Sequence, residues 1–223
     1  MARPPAPEMA TTLESAQAAG FMVGGEPLAV ELADTVVMVS EPPTDLLCDE
    51  DACRRFWELQ AARLPQGWGV PSLAATRRLR DAVRQLLDSA RHGQIRGAGD
   101  RAALQTVNSM SSRAQTIPEV RLVRKELRRG ETWKAGTAGD LAIAAAARSA
   151  IAILTEPSEL QRLRRCANPN CSMLFSNGDN RRRWCTPNIC GNRIRVARHY
   201  QRHRQTDPKE SEAEQLPSSR LLV

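Results

Sequence analysis

Residues 166–204 read CANPNCSMLFSNGDNRRRWCTPNICGNRIRVARHYQRHR. Cys166 and Cys171 bracket four residues, Cys185 and Cys190 bracket four more, and thirteen lie between the pairs. Two close cysteine pairs joined by a loop is structural-zinc spacing, because each pair can occupy one edge of a tetrahedron while the loop lets the pairs converge. A segment of roughly 40 residues seldom buries enough apolar surface to fold without a metal or disulfides. Here the apolar complement is Leu174, Phe175, Trp184, Ile189, Val196 and Tyr200. Thiolate-bound zinc contributes on the order of 10 kcal/mol or more to folding, far above what those side chains supply. The expectation is one structural Zn2+ closed by Cys166, Cys171, Cys185 and Cys190.

Other ligand sets fit less well. His199 and His203 have the spacing of a helical histidine pair, but a finger built on Cys185, Cys190, His199 and His203 would leave Cys166 and Cys171 idle. Its gap from Cys190 to His199 is also shorter than the roughly twelve residues of that finger class. A catalytic zinc needs an open position and a neighbouring acid or base. The segment offers only Asp179. Cys48 and Cys53 repeat the four-residue gap, yet His92 is the one histidine outside the module, so they read as ordinary reduced thiols.

Charge is distributed unevenly around this site. From Gln161 to Arg204 there are eleven arginines against one aspartate, a net +10, whereas the whole chain carries +7 and its remainder therefore −3. Four thiolates and one Zn2+ lower the module only to about +8. Arg181, Arg182 and Arg183 sit on the loop between ligand pairs. Arg195, Arg198 and Arg202 recur at i, i+3 and i+7 on a helix expected over 191–204, with Arg193 beside them. Two arginine clusters on one metal core suit phosphates along a duplex, and arginine also fits guanine edges. DNA is the expected partner and these seven arginines the expected contacts. Trp184, next to a ligand, reads as core more readily than as a base-stacking platform.

Upstream, residues 1–19 are Pro/Ala/Thr-rich and aperiodic and are expected to be a disordered leader, as is the polar tail 205–223. Residues 20–156 are expected to form an α+β domain, mostly helical with a small strand pairing, before a C-terminal zinc finger over 160–204 that ends in a basic helix. Within that domain, alternating apolar residues from Leu28 to Val39 suggest a strand or strand-like entry segment, with helix as the alternative. A short helix is expected over 51–64, and a second follows the Ser72 cap with Leu79, Val83, Leu86, Leu87 and Ala90 on one stripe. Asp100 is expected to cap a third. Pro118 ends a linker, and Val120–Val123 and Thr132–Trp133 read as a hairpin turning at Arg129-Gly130. Thr137 and Asp140 resemble a capping box opening an apolar helix over 141–154, closed by Pro157.

That last helix is interrupted by Arg148, and no other stretch approaches the roughly 18 apolar residues of a membrane span. The first residues lack the apolar core of a secretory signal, so a cytoplasmic location with reduced thiols is expected. No nucleophile–base set, glycine-rich phosphate loop or pair of catalytic acids stands out, which points away from an enzyme.

Arg182-Arg183-Trp184-Cys185 followed by Cys190-Gly191-Asn192-Arg193 resembles the CGNR zinc-finger family, named for that tetrapeptide. Residues 20–156 resemble, through their order of elements, the ABATE domain that precedes such fingers. The resemblance implies zinc at the four cysteines, DNA as partner and a role among stress-induced transcription regulators. Family members commonly carry an aspartate shortly after the phenylalanine of the inter-pair loop; this chain has Phe175-Ser176-Asn177 there. The expected function is a DNA-binding transcription regulator whose N-terminal domain senses an effector or mediates self-association into a homo-oligomer. The alternative is a zinc-stabilised adaptor whose arginines meet an acidic protein.

Overall fold

A computed structural model describes residues 13–21, 24–37, 42–178, 181–186 and 190–196. The body is helical. Helices α1 (Leu13–Ala18), α2 (Leu28–Ala33), α3 (Glu50–Leu59), α4 (Leu73–Arg91), α5 (Ala98–Ser111), α6 (Ala138–Thr155) and α7 (Pro157–Arg162) are accompanied by three two-stranded antiparallel pairings. These join β1 (Val36–Val37) to β2 (Thr44–Asp45), β3 (Ala114–Val123) to β4 (Glu126–Ala135), and β5 (Leu163–Arg165) to β6 (Leu174–Ser176).

Helix α2 lies at the centre against α4 and α6, and α5 packs on both of the latter. All six of its residues are buried. Leu79, Val83, Leu86 and Leu87 of α4 meet Ile143, Ala147 and Ala150 of α6 in the same core. Burying each large side chain there contributes about 1.5–3 kcal/mol. Small alanines on α6 let its neighbours approach closely. By length and composition α6 could cross a membrane, but eight of its residues are buried within this body.

The expected caps hold for two helices. Ser72 accepts from Ala75 N at the start of α4, and Thr137 accepts from Asp140 N at the start of α6. At α5 the expectation was displaced by one turn. Gly97 is the N-cap, and Asp100 in the first turn reaches back to accept from the amides of Arg96 and Gly97, both at 3.1 Å. Backbone donation at Gly97, then the Ser89 hydroxyl, hold the Asp100 carboxyl below its usual range.

Three further expectations are corrected. The strand placed at 28–39 is helix over Leu28–Ala33 and strand only at Val36–Val37, with 38 and 39 outside the described residues. Alternation over so short a run does not separate a strand from a helix buried on every side. The leader expected over 1–19 includes α1, which places Ala16 in the core. The hairpin turns at Arg124-Lys125, both at positive φ (48° and 68°), while Gly130 pairs with Glu119 in mid-strand. Pro118 lies inside β3, which tolerates it because both strands of a lone hairpin are edges.

Candidate metal centre and its docking on the body

Local sequence chemistry shapes the first knuckle. In Cys166-Ala-Asn-Pro-Asn-Cys171 the buried Asn168 side chain accepts from Asn170 N at 3.0 Å, and its carbonyl accepts from Cys171 N at 3.0 Å. This side-chain turn brings the two cysteines round to one centre. Across the loop, Ala167 N donates to Arg183 O at 2.9 Å, which brings the second pair alongside the first. The chain is helical over 190–196, directly after the last ligand.

All four cysteines are buried, and their sulfurs lie within 4.8 Å of one another. Cys171 and Cys185 are 3.7 Å apart, Cys185 and Cys190 3.6 Å. A tetrahedron with Zn–S bonds of about 2.3 Å has S–S edges of about 3.8 Å, so the donor set fits Zn2+ in size as well as chemistry. The thiols also act on one another. Donation from Cys171 and Cys185 pulls Cys166 down to about 2, whereas hydrogen bonding to Cys166 pushes Cys171 up to about 12 and that to Cys166 and Cys171 pushes Cys185 up further. One negative sulfur thus raises the cost of the next. A dication is what lets all four ionise together. The protein accordingly holds one structural zinc ion, with every position closed by sulfur.

The strand β6 divides its side chains between two cores. Its odd-numbered Phe175, with Met173 just before it, packs around the cysteines, while Leu174 joins Leu163 in the body core. Strand period two is the cause. Two body carboxylates then take β6 amides from the body side. Asp34 accepts from Leu174 N on both oxygens at 3.0 Å, and Glu26 accepts from Ser176 N at 2.7 Å. Arg84 of α4 completes the joint, donating to Ala33 O and Ser172 O at 2.9 Å each. The finger is therefore bolted to the body rather than tethered beside it.

The expected nucleic-acid residues fall into three groups. Arg181, Arg183, Arg193 and Arg195 are exposed. Arg198 and Arg202 lie outside the described residues, as do His199, His203, Ile189 and Tyr200. Arg182 is held inward: it pairs with buried Glu26 at 2.7 Å, donates to the Trp184 carbonyl at 3.0 Å and lies 4.6 Å from the Phe175 ring centroid. A guanidinium held by these acceptors clamps the loop to the body. Asn177, where the family carries an acid nearby, donates its side-chain N–H to Arg182 O at 2.9 Å and steadies the same loop. Trp184 packs partly buried on the metal core, with Gly191 beneath its ring.

Cys48 and Cys53 are not brought into a metal-binding group among the described residues. Cys53 is buried against the Thr76 hydroxyl, and burial raises its thiol above the usual value. Cys48 is exposed. What sequence reasoning missed is the acceptor set at the joint, Glu26 and Asp34 with Arg84. Acids inside the apolar stretch 24–37 were the available signal.

Residues 26–157 match the family model of the ABATE domain, described as "Putative stress-induced transcription regulator". The chain belongs to the ABATE family. Residues 162–203 match the CGNR zinc finger, so finger follows ABATE domain in the order expected from sequence. Neither is an enzyme family. No curated protein matches the chain. In this ABATE protein the finger's four ligands and its Cys190-Gly191-Asn192-Arg193 signature are intact.

Proposed function

We propose that this ABATE protein is a DNA-binding transcription regulator that acts in the cytoplasm through its CGNR finger. One observation carries the reading: exposed Arg181, Arg183, Arg193 and Arg195 surround a buried four-thiolate centre in a segment of net charge +10. Zinc fixes the backbone, and the arginines, with Arg198 and Arg202 beyond the described residues, contact phosphates and base edges. Fluorescence anisotropy with a pool of genomic duplex fragments tests this. Affinity that falls steeply with salt and disappears on chelation is expected. No affinity for duplex DNA at low salt overturns the reading in favour of the adaptor.

Self-association is the body's proposed second role, and the hairpin favours it. Val120, Leu122 and Leu127 share one face of β3–β4 and are 73%, 72% and 76% exposed. Apolar side chains gathered on one exposed face are characteristic of a contact surface. Sedimentation velocity across a concentration series should show a dimer that L127K weakens. A monomer at every concentration would refute it.

A further inference from the structure

A cleft of about 1090 Å3 opens where the ABATE domain meets the finger. Its walls include Leu64, Pro65 and Ala145 from the body, and Arg63, Arg148 and Arg182 line it with positive charge. Two of these cations are already matched. Arg63 pairs with buried Glu31 at 2.8 Å, and Arg182 pairs with Glu26 at 2.7 Å. Arg148 differs. Its guanidinium lies 4.3 Å from the Trp133 ring centroid and donates to the Ala114 carbonyl, and no carboxylate pairs with it among the described residues. The cleft therefore presents one uncompensated positive charge on an aromatic wall, surrounded by apolar side chains and the Ser149 and Ser176 hydroxyls.

We propose that this cleft is an effector site for a small organic monocarboxylate, its carboxylate on Arg148 and its apolar body against Trp133, Leu64 and Pro65. A charged hydrogen bond in a partly dry site is stronger than on open surface, and guanidinium suits carboxylate geometry. Inorganic phosphate fits poorly, because a dianion would meet one spare charge among apolar walls. Volume is ample for a ligand of ordinary metabolite size. Ser176 and Arg182 of the finger line the same cleft, so an occupant that spans it touches both units and favours the docked arrangement. By reciprocity it then alters the finger's affinity for its own partner, a consequence that rests on the regulator reading above.

The test uses the zinc-loaded full chain without DNA. Benzoate, phenylacetate and octanoate are titrated against their neutral amides, with thermal unfolding and tryptophan fluorescence as readouts. At least one acid should raise Tm saturably and bind about tenfold or more tightly than its amide. R148Q should weaken that acid about tenfold with zinc content unchanged, and R148K, which keeps the charge without the fork, should restore part of it. A62E, a carboxylate at the exposed rim, should weaken binding without any cost to folding, which keeps the test decisive if R148Q is unstable. The proposal is overturned if no acid exceeds its amide, or if A62E and R148Q bind like the parent. Because no DNA is present, a positive result survives failure of the regulator reading, and a negative one leaves that reading standing.

Discussion

Asp34 holds the Leu174 amide on both carboxylate oxygens, each at 3.0 Å, with Arg84 3.6 Å from one of them. A body acid thus fixes the strand that carries Met173 and Phe175 into the metal core. D34A would leave the buried Leu174 amide without its acceptor and the buried Arg84 guanidinium, which keeps its carbonyl partners, without its counter-charge. Removing one partner of such a pair typically costs about 3–5 kcal/mol. Urea unfolding should show that loss; a change under 1 kcal/mol would mean the joint carries little of the stability, on the scale of ordinary surface substitutions.

The same residue makes stability depend on pH. Burial pushes the Asp34 carboxyl well above 3.8, only partly opposed by the Leu174 amide and Arg84. A folded pKa above the unfolded one means the native state binds more protons between the two values. Relative to D34N, the parent's stability should be greatest below 3.8 and decline as pH rises through the raised value. Paired unfolding curves across that window read the difference directly, and a pH-independent gap would contradict it.

Zinc should be inseparable from the finger's fold. C171S or C185S removes one thiolate from a four-sulfur set, and the binding energy at risk is on the order of 10 kcal/mol. Elemental analysis should fall from one zinc per chain, and limited proteolysis should cut within the finger while α4 and α6 stay protected. Retention of stoichiometric zinc in both variants would show that the ligands are wrongly assigned.

The loop arginines should separate by role. Removing an exposed one, R183A or R193A, should reduce the slope of log affinity against log salt by about one unit without moving Tm. R182A should do the opposite, lowering Tm while leaving the slope unchanged, because its guanidinium is held by Glu26. Equal effects on slope from all three would contradict the inward placement of Arg182.

The Arg124-Lys125 turn carries removable strain. Both residues stand at positive φ, where a side chain costs roughly 1–2 kcal/mol and Asn-Gly is favoured. Changing Arg124→Asn together with Lys125→Gly should stabilise the protein by about 1 kcal/mol. Thermal unfolding checks this, and a lower Tm would mean the turn is not of the type described.

Much of the site was legible because ligand chemistry is local. Cys166, Cys171, Cys185 and Cys190 state their purpose by spacing alone, and Ser72 and Thr137 announce their helices because a cap acts within three residues. Elements buried on all sides were not legible. Leu28–Ala33 alternates like a strand yet is helical, since surroundings supplied by α4 and α6 decide which backbone satisfies its amides. Gly130 suggested a turn because glycine usually permits one; the register of β3 against β4 placed it in mid-strand under the Arg121 side chain.

By itself the sequence determined the metal, its four ligands, the basic character of the finger and the order of the two units. Only tertiary structure decided that Arg182 turns inward to Glu26, that Leu174 and Phe175 serve different cores, and that a cleft forms around Arg148. The physical reason is range: sulfur spacing and net charge are properties of a short segment, whereas a guanidinium's partner can be an acid 156 residues away.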